Sequence, residues 1–333
     1  MADAEPIAAR GGERGAALLT VLMLVAVIAV MAGAGLERLR LSTRLAGNAG
    51  ATEQAHGYAL AAEALALAKV TDLLGRNPGR VTLAGDWSGR PFGLPLPGGA
   101  AVARVVDGGN CFNLNGLVSR SAPGVYVDNP LARLQFARLM RLLDIPAQTA
   151  EAVASGAADW IDTDQDQQAM GAEDAAYLAH DTPFRTAGTL MADPSELRAV
   201  AGVTPDIYAR LRPWLCALPK AEPSRINVNT LLPEQAPLFA MLLPDTLSVA
   251  GASQMLLRRP PAGYADASAF WQGPALAAIT PGPDAQGQTA TTTTWFRLSI
   301  EVTLGTTNLH EDALIDASRL PARLVARQWN ADS

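Results

Sequence analysis

Twenty-one consecutive uncharged residues, Ala16–Leu36 (AALLTVLMLVAVIAVMAGAGL), constrain this chain more than any other stretch. A bilayer core about 30 Å thick is crossed by roughly 20 apolar helical residues, so this run is long enough to span one. Just before it stands Arg10-Gly11-Gly12-Glu13-Arg14-Gly15. A secretory signal places its small-residue cleavage site after the apolar run, whereas here a processing-like glycine, Gly15, precedes it. A cut between Gly15 and Ala16 would leave the apolar segment as the first element of the mature protein. Without a cut, Arg10 and Arg14 would hold the segment as a signal anchor with its basic end inside. The stretch by itself leaves both open.

Nothing breaks the helix for some distance beyond Leu36. Leu41, Leu45, Ala55, Ala59, Ala62, Ala66, Val70 and Leu73 recur near helical spacing. Gly75 and Asn77-Pro78 supply the stop. A helix from Ala16 to Leu74 would be about 90 Å long, apolar in its first half and amphipathic in its second. Ala101–Val106 reads as a short strand. Helical patterns then fill Leu131–Ile145, with Leu131, Leu134, Leu139, Leu142 and Leu143 on one side. They continue through Thr149–Ile161, Pro194–Val200, Thr204–Leu218, Pro233–Leu243 and Ala250–Arg258, and Thr280–Thr294 reads as a loop. After that loop the period becomes two: Phe296, Leu298, Ile300, Val302 and Leu304 alternate with polar residues. Shorter strands follow near Asp312–Ala317 and Arg323–Gln328. The order predicts an α+β fold, a long helix on an antiparallel sheet interrupted by a large all-α insert.

A formal net charge of −6, with two lysines, Lys69 and Lys220, argues against nucleic acid as the main partner. Cys111 and Cys216 lie on the far side of the apolar run from the basic leader. In an oxidising compartment they can form only one disulfide; otherwise they are two free thiols. His56, His180 and His310 show no ligand-type spacing, and no G-x-S-x-G, Walker A or H-E-x-x-H motif occurs. No residue pattern marks an enzyme.

Two stretches invite a site. In DWIDTDQDQQAMGAED (159–174), Asp162, Asp164 and Asp166 alternate, with Glu173 and Asp174 after Gly171. Clustered oxygen ligands suit calcium, yet an EF-hand counted from Asp162 would need glycine where Gln167 stands. The residues alone leave a calcium site and a solvated acidic loop open. ELRAVAGVTPDIYARLRPWL (196–215) has the shape of a helix-hairpin-helix unit, and INVNTLLPEQAPLFAMLL of a second. In DNA-binding versions such a turn grips phosphate. With only Arg198, Arg210, Arg212 and Arg225 nearby, the better expectation is a hairpin used for protein packing.

The leader resembles the class III leader of type IV pilins and type II secretion pseudopilins. RGAALLTVLMLVAV, YALAAEALA, FNLNGL, DWIDTDQDQ with GAED, MADPSELRAVAGVTPDIYARLRPWL and INVNT together resemble the large minor pseudopilin of type II secretion, the K subunit. The resemblance implies a leader (1–15) cut by a prepilin peptidase and a transmembrane half-helix (16–36). It implies a pilin-like domain in two parts (37–114 and 281–333) around an inserted helical domain (115–280). It also implies a single-pass inner-membrane protein with a periplasmic head at the tip of the pseudopilus. There it would initiate or cap assembly with the I and J minor pseudopilins, alongside other pseudopilins and the inner-membrane secretion platform. Calcium in the insert would draw its ligands from Asp162, Asp164, Asp166, Glu173 and Asp174. Ordinary pilins carry glutamate as the fifth residue after the cut, where this chain has Thr20. A first subunit has no predecessor whose terminal ammonium needs that carboxylate, so Thr20 fits a starter subunit. The alternative is a minor pilin of a type IV or competence apparatus, binding DNA through the hairpin.

Overall fold

The computed structural model describes residues 12–277 and 279–330. The expected leader lies outside the described residues as far as position 11, and Gly15 and Ala16 fall in the first helix. That helix, α1 (Gly12–Arg76), is unbroken over 65 residues, about 98 Å at ~1.5 Å per residue. Every residue from Ala16 to Gly50 is exposed, and the uncharged run Ala16–Leu36 within it is apolar and long enough to cross a membrane. Leu41 and Leu45 belong to it, at 57 % and 59 % exposed, so they do not join the buried stripe the spacing suggested. The stripe begins at Ala55. β1 (Phe92–Leu96) and β2 (Gly99–Asp107) form a hairpin, the first of these strands having escaped the sequence pattern.

From Asp107 the chain leaves the sheet. It makes β3 (Phe112–Asn113), the hairpin β4 (Val118–Ala122) and β5 (Val125–Asp128), and then α2 (Pro130–Leu142) and α3 (Ala147–Ile161). Next come α4 (Asp174–Leu178), α5 (Pro205–Leu211), β6 (Leu215–Cys216), β7 (Ile226–Asn227), α6 (Ala236–Ala240), α7 (Val249–Leu257), α8 (Ala267–Trp271), α9 (Pro283–Gln288) and β8 (Thr289–Ala290). This block is therefore not purely helical. β3 pairs in parallel with β6, and β7 with β8. The expected loop at 280–294 contains α9 and β8, too short for periodicity to register. On α2 the buried side carries Ala132, Phe136, Leu139 and Met140, while Leu134 is 66 % exposed.

The chain returns as β9 (Trp295–Leu304), β10 (Thr307–Asp316) and β11 (Arg323–Asn330), giving an antiparallel sheet of order β1-β2-β9-β10-β11. β10 is ten residues long, well beyond the stretch that alternation marked, because His310, Glu311 and Asp312 interrupt its apolar pattern. Successive strand residues point to opposite faces. Ala101, Ala103, Leu298, Ile300, Val302, Ala313 and Ile315 thus share one face and bury it against Ala55, Ala59, Ala62, Ala66 and Val70 of α1. Alanine at those helix positions leaves no bulk between backbone and sheet, so helix and strands approach closely. A separate core, with Phe136, Leu139, Val153, Ile161, Tyr177, Leu197, Phe239 and Phe270, fills the block between β2 and β9.

Two N-x-N pairs brace that block. Asn115 receives the Met191 N–H at 2.7 Å and donates to the carbonyls of Met191 and Leu218, each at 2.9 Å. Asn229 does the same with both backbone groups of Tyr264. Asn113 and Asn227 likewise bond backbone of other segments. Each amide satisfies main-chain groups that an irregular buried loop would otherwise leave unpaired. The same region holds a disulfide between Cys111 and Cys216, Cα atoms 5.8 Å apart and 105 residues apart in sequence. Closing so long a loop stabilises by up to about 4.7 kcal/mol in the chain-entropy account. Replacing both cysteines with serine should lower the denaturant midpoint of the head, read by tryptophan fluorescence; an unchanged midpoint would refute it.

Candidate cation site

Asp159 stands in the last turn of α3, Asp162 is its C-cap, and Glu173 is the N-cap of α4. One carboxylate oxygen from each lies within 4.8 Å of the others, and all three residues are buried. Neither oxygen of Asp162 nor of Glu173 receives a hydrogen bond, although Glu173 occupies a position where side chains ordinarily cap the helix. Asp159 accepts the Gln168 amide at 3.2 Å. Gly171 lets the loop fold over this carboxylate: a Cβ there would sit 2.0 Å from Asp159 Oδ2.

Such an arrangement opposes ordinary electrostatics. Acids at a helix C-terminus face the negative end of its dipole, and buried carboxylates repel one another unless a cation intervenes. Burial pushes Asp162 up to about 8, reinforced by Asp164, Glu173 and Asp159. Glu173 is pushed to about 7 and Asp159 to about 6, in each case first by burial. Four orphaned oxygens converging with a third carboxylate are a hard donor set that fits a metal ion.

The five acids expected from the sequence separate here. Asp162 and Glu173 enter the buried group. Asp164 stays exposed at its edge, with Oδ1 accepting the Asp166 amide at 2.9 Å. Asp166 is exposed. Asp174 turns away to an ion pair with Arg185 and to the Thr186 amide and hydroxyl, both at 3.0 Å. Asp159 is the residue that pattern reading missed. The signal lay in its spacing, since Asp159 and Asp162 are i and i+3 at a helix end and therefore neighbours.

Several donors of the hairpin are engaged inside the protein. The Ala201 amide of its turn donates to Tyr177 Oη at 3.1 Å. Arg198 lies over the Tyr208 ring, and Arg210 donates to the Asp144 carbonyl. The DNA-gripping alternative is not favoured by this turn. Tyr177 in turn packs on Trp160, ring centroids 5.4 Å apart, which ties the hairpin to the helix carrying Asp159 and Asp162.

Two family models, both described as type II secretion system (T2SS), protein K, match residues 110–220 and 226–293. The chain is 32 % identical over 327 residues to a type II secretion system protein K of Pectobacterium carotovorum subsp. carotovorum, covering 96 % of this chain and 97 % of the relative. A protein K of Aeromonas hydrophila is 35 % identical over 279 residues, covering 82 % and 84 %. Among solved structures, a chain of the GspK-GspI-GspJ complex from the enterotoxigenic Escherichia coli type 2 secretion system superposes with a TM-score of 0.73. The two share 32 % identity over 84 % of this chain and 97 % of that one.

Proposed function

This chain belongs to the type II secretion system protein K family, and on that premise we propose how its architecture serves a minor pseudopilin at the tip of a short fibre. One observation carries the reading: α1 is divided between a half sealed against the sheet from Ala55 onward and a half, Ala16–Gly50, that no other described residue covers. The uncovered half is an inner-membrane anchor, which leaves the bilayer to join a bundle of like helices. The head, sheet and insert together, stands in the periplasm. There it meets I- and J-type subunits, the partners of the chain in the solved complex it resembles. The 187 residues or so between β2 and β9 (108–294) make a bulk that no further subunit could stack upon, which suits a cap.

Processing belongs to the same proposal. A peptidase cutting between Gly15 and Ala16 requires a residue small enough to bring the backbone into its site. Gly15→Leu should leave uncut precursor in the membrane, seen as a larger mass; normal maturation would contradict it. Thr20, whose hydroxyl bonds its own helix at the Ala17 carbonyl, provides no carboxylate for a preceding subunit's ammonium, consistent with a starter.

Calcium is the cation we assign to Asp159, Asp162 and Glu173, because the donors are all carboxylate oxygens. It neutralises the acids at the end of α3 and holds the 162–173 loop against the insert. Its work is structural; the family is a structural component of the secretion machinery.

A further inference from the structure

We infer that Arg38, Arg40 and Arg44 of α1 form a collar that binds the phosphates of anionic phospholipids at the bilayer surface where the apolar run ends. The inference rests on the reading of that run as an inner-membrane anchor. The three arginines and Glu37 are the only charged residues between Ala16 and Thr52, and all four are exposed. None of them makes an ion pair with another described residue. The collar also opposes the charge of the rest of the chain, since residues 51–333 hold 21 arginines and lysines against 28 aspartates and glutamates. An anionic surface repels that part and attracts the collar, where three cations outnumber one acid.

Position supplies the ligand. Ala16–Leu36 makes about 32 Å of helix at ~1.5 Å per residue, which matches a hydrocarbon core of about 30 Å. Arg38 and Arg40 then stand roughly 3 and 6 Å beyond its end, within a polar layer roughly 5–7 Å deep on each side. Arg44 stands about 12 Å beyond. Cα–Cβ bonds of a helix tilt toward its N-terminus, here toward the bilayer, and the long arginine stem reaches back to the interface. Guanidinium forks match phosphate oxygens in bidentate geometry.

Shape separates a lipid surface from a protein neighbour. At about 100° per residue, Arg40 and Arg44 share one side of the rod, and Arg38 lies nearly opposite Arg40. A neighbouring subunit meets a helix along one face, whereas a bilayer surface encircles it. Leu36, Leu39, Leu41 and Leu45 are exposed on the same turns. That mixture of apolar and cationic side chains suits the zone where acyl chains give way to headgroups. The collar sets how deep the anchor sits, and its lipid contacts break when the helix leaves the bilayer for the fibre.

The test is native mass spectrometry of the full-length chain in mild detergent, titrated with phosphatidylglycerol or with zwitterionic phosphatidylcholine. The same chain is also reconstituted into vesicles of each lipid and floated. Wild type should retain phosphatidylglycerol at least about ten-fold better, a preference that falls as salt is raised. Arg38→Gln, Arg40→Gln and Arg44→Gln made together should abolish the preference, while lysine at all three positions keeps most of it. An unchanged urea midpoint of the head shows that the variant is folded. A wild type without the preference, or a glutamine variant that keeps it, overturns the inference and leaves the anchor reading standing. A glutamine variant that keeps the preference but no longer co-purifies with I- and J-type subunits overturns it too, and gives the arginines to a protein partner. A chain that floats with neither kind of vesicle overturns the anchor reading and the inference together.

Discussion

Asp162→Asn should abolish the rise in thermal stability expected of the wild-type protein if calcium fills the site proposed at Asp159, Asp162 and Glu173. In the wild type, calcium at a hundred times its dissociation constant should add about 2.7 kcal/mol, since an ion that binds only the folded state stabilises by mass action. The variant loses one of three carboxylates that meet within 4.8 Å, so its melting temperature should be the same with calcium and with chelator. Without calcium the variant should melt no lower than wild type, and the sign follows from the geometry. Both oxygens of Asp162 lack a hydrogen-bond donor, so a neutral amide there relieves repulsion with Asp159 and Glu173. Asp166→Asn serves as the control, because that side chain is exposed and outside the group; it should keep the full calcium response. A wild-type melting curve indifferent to calcium would remove the cation from the account. Equal loss in Asp162→Asn and Asp166→Asn would place the ion elsewhere.

The second large effect is expected at Arg327. This guanidinium on β11 bonds Glu63 of α1 and lies 3.3 Å from Glu311 of β10. Glu311 is fully buried, and no group donates a well-aligned hydrogen bond to either of its oxygens. Removing the cation from two carboxylates in a helix–sheet seam should cost about 3 kcal/mol. That is the low end for breaking a buried pair, because Arg327 is itself about one-third exposed. Arg327→Met should therefore lower the urea midpoint of the head, and Glu311→Gln in the same chain should restore part of it. The pH dependence has a definite sign. Burial, and then Glu63, holds the Glu311 carboxyl above its ordinary 4.5. The folded state therefore keeps a proton that the unfolded state has released, and stability falls as pH rises above 4.5. Arg327→Met should steepen this fall, so that the variant is closest to wild type in acid. Glu311→Gln should flatten it. A loss on Arg327→Met that is identical at pH 5 and pH 8 would show that the seam is held by packing alone.

Much of the architecture was legible in the residues. The uncharged run Ala16–Leu36 and the alanine stripe from Ala55 to Ala66 mark a single rod with two environments, and the period change at Phe296 marks the return of the sheet. What escaped notice did so for physical reasons. β1 carries glycine and proline, which suppress the strand signal. β10 breaks its alternation at Glu311 because that carboxylate is buried against Glu63 and Arg327 rather than exposed. Leu134 follows helical spacing yet points outward, since polar Gln135 takes an inner position of α2. At the cation site, alternation of Asp162, Asp164 and Asp166 drew attention to a loop in which only Asp162 turns inward. Asp159 was masked by its apolar neighbours Trp160 and Ile161, and loop closure over it depends on Gly171. FNLNGL and INVNT were recognisable as patterns before their work was clear; their asparagines bond distant backbone, which no local period reports.

In the function proposed here a rod cut free at its cytoplasmic end becomes the spine of a multi-subunit fibre. That role is tested most directly by extracting the native protein from membranes in mild detergent and weighing the intact particle and its chains by mass spectrometry. The expected result is a chain beginning at Ala16, travelling with I- and J-type subunits. A chain that keeps residues 1–15 and travels alone would contradict it.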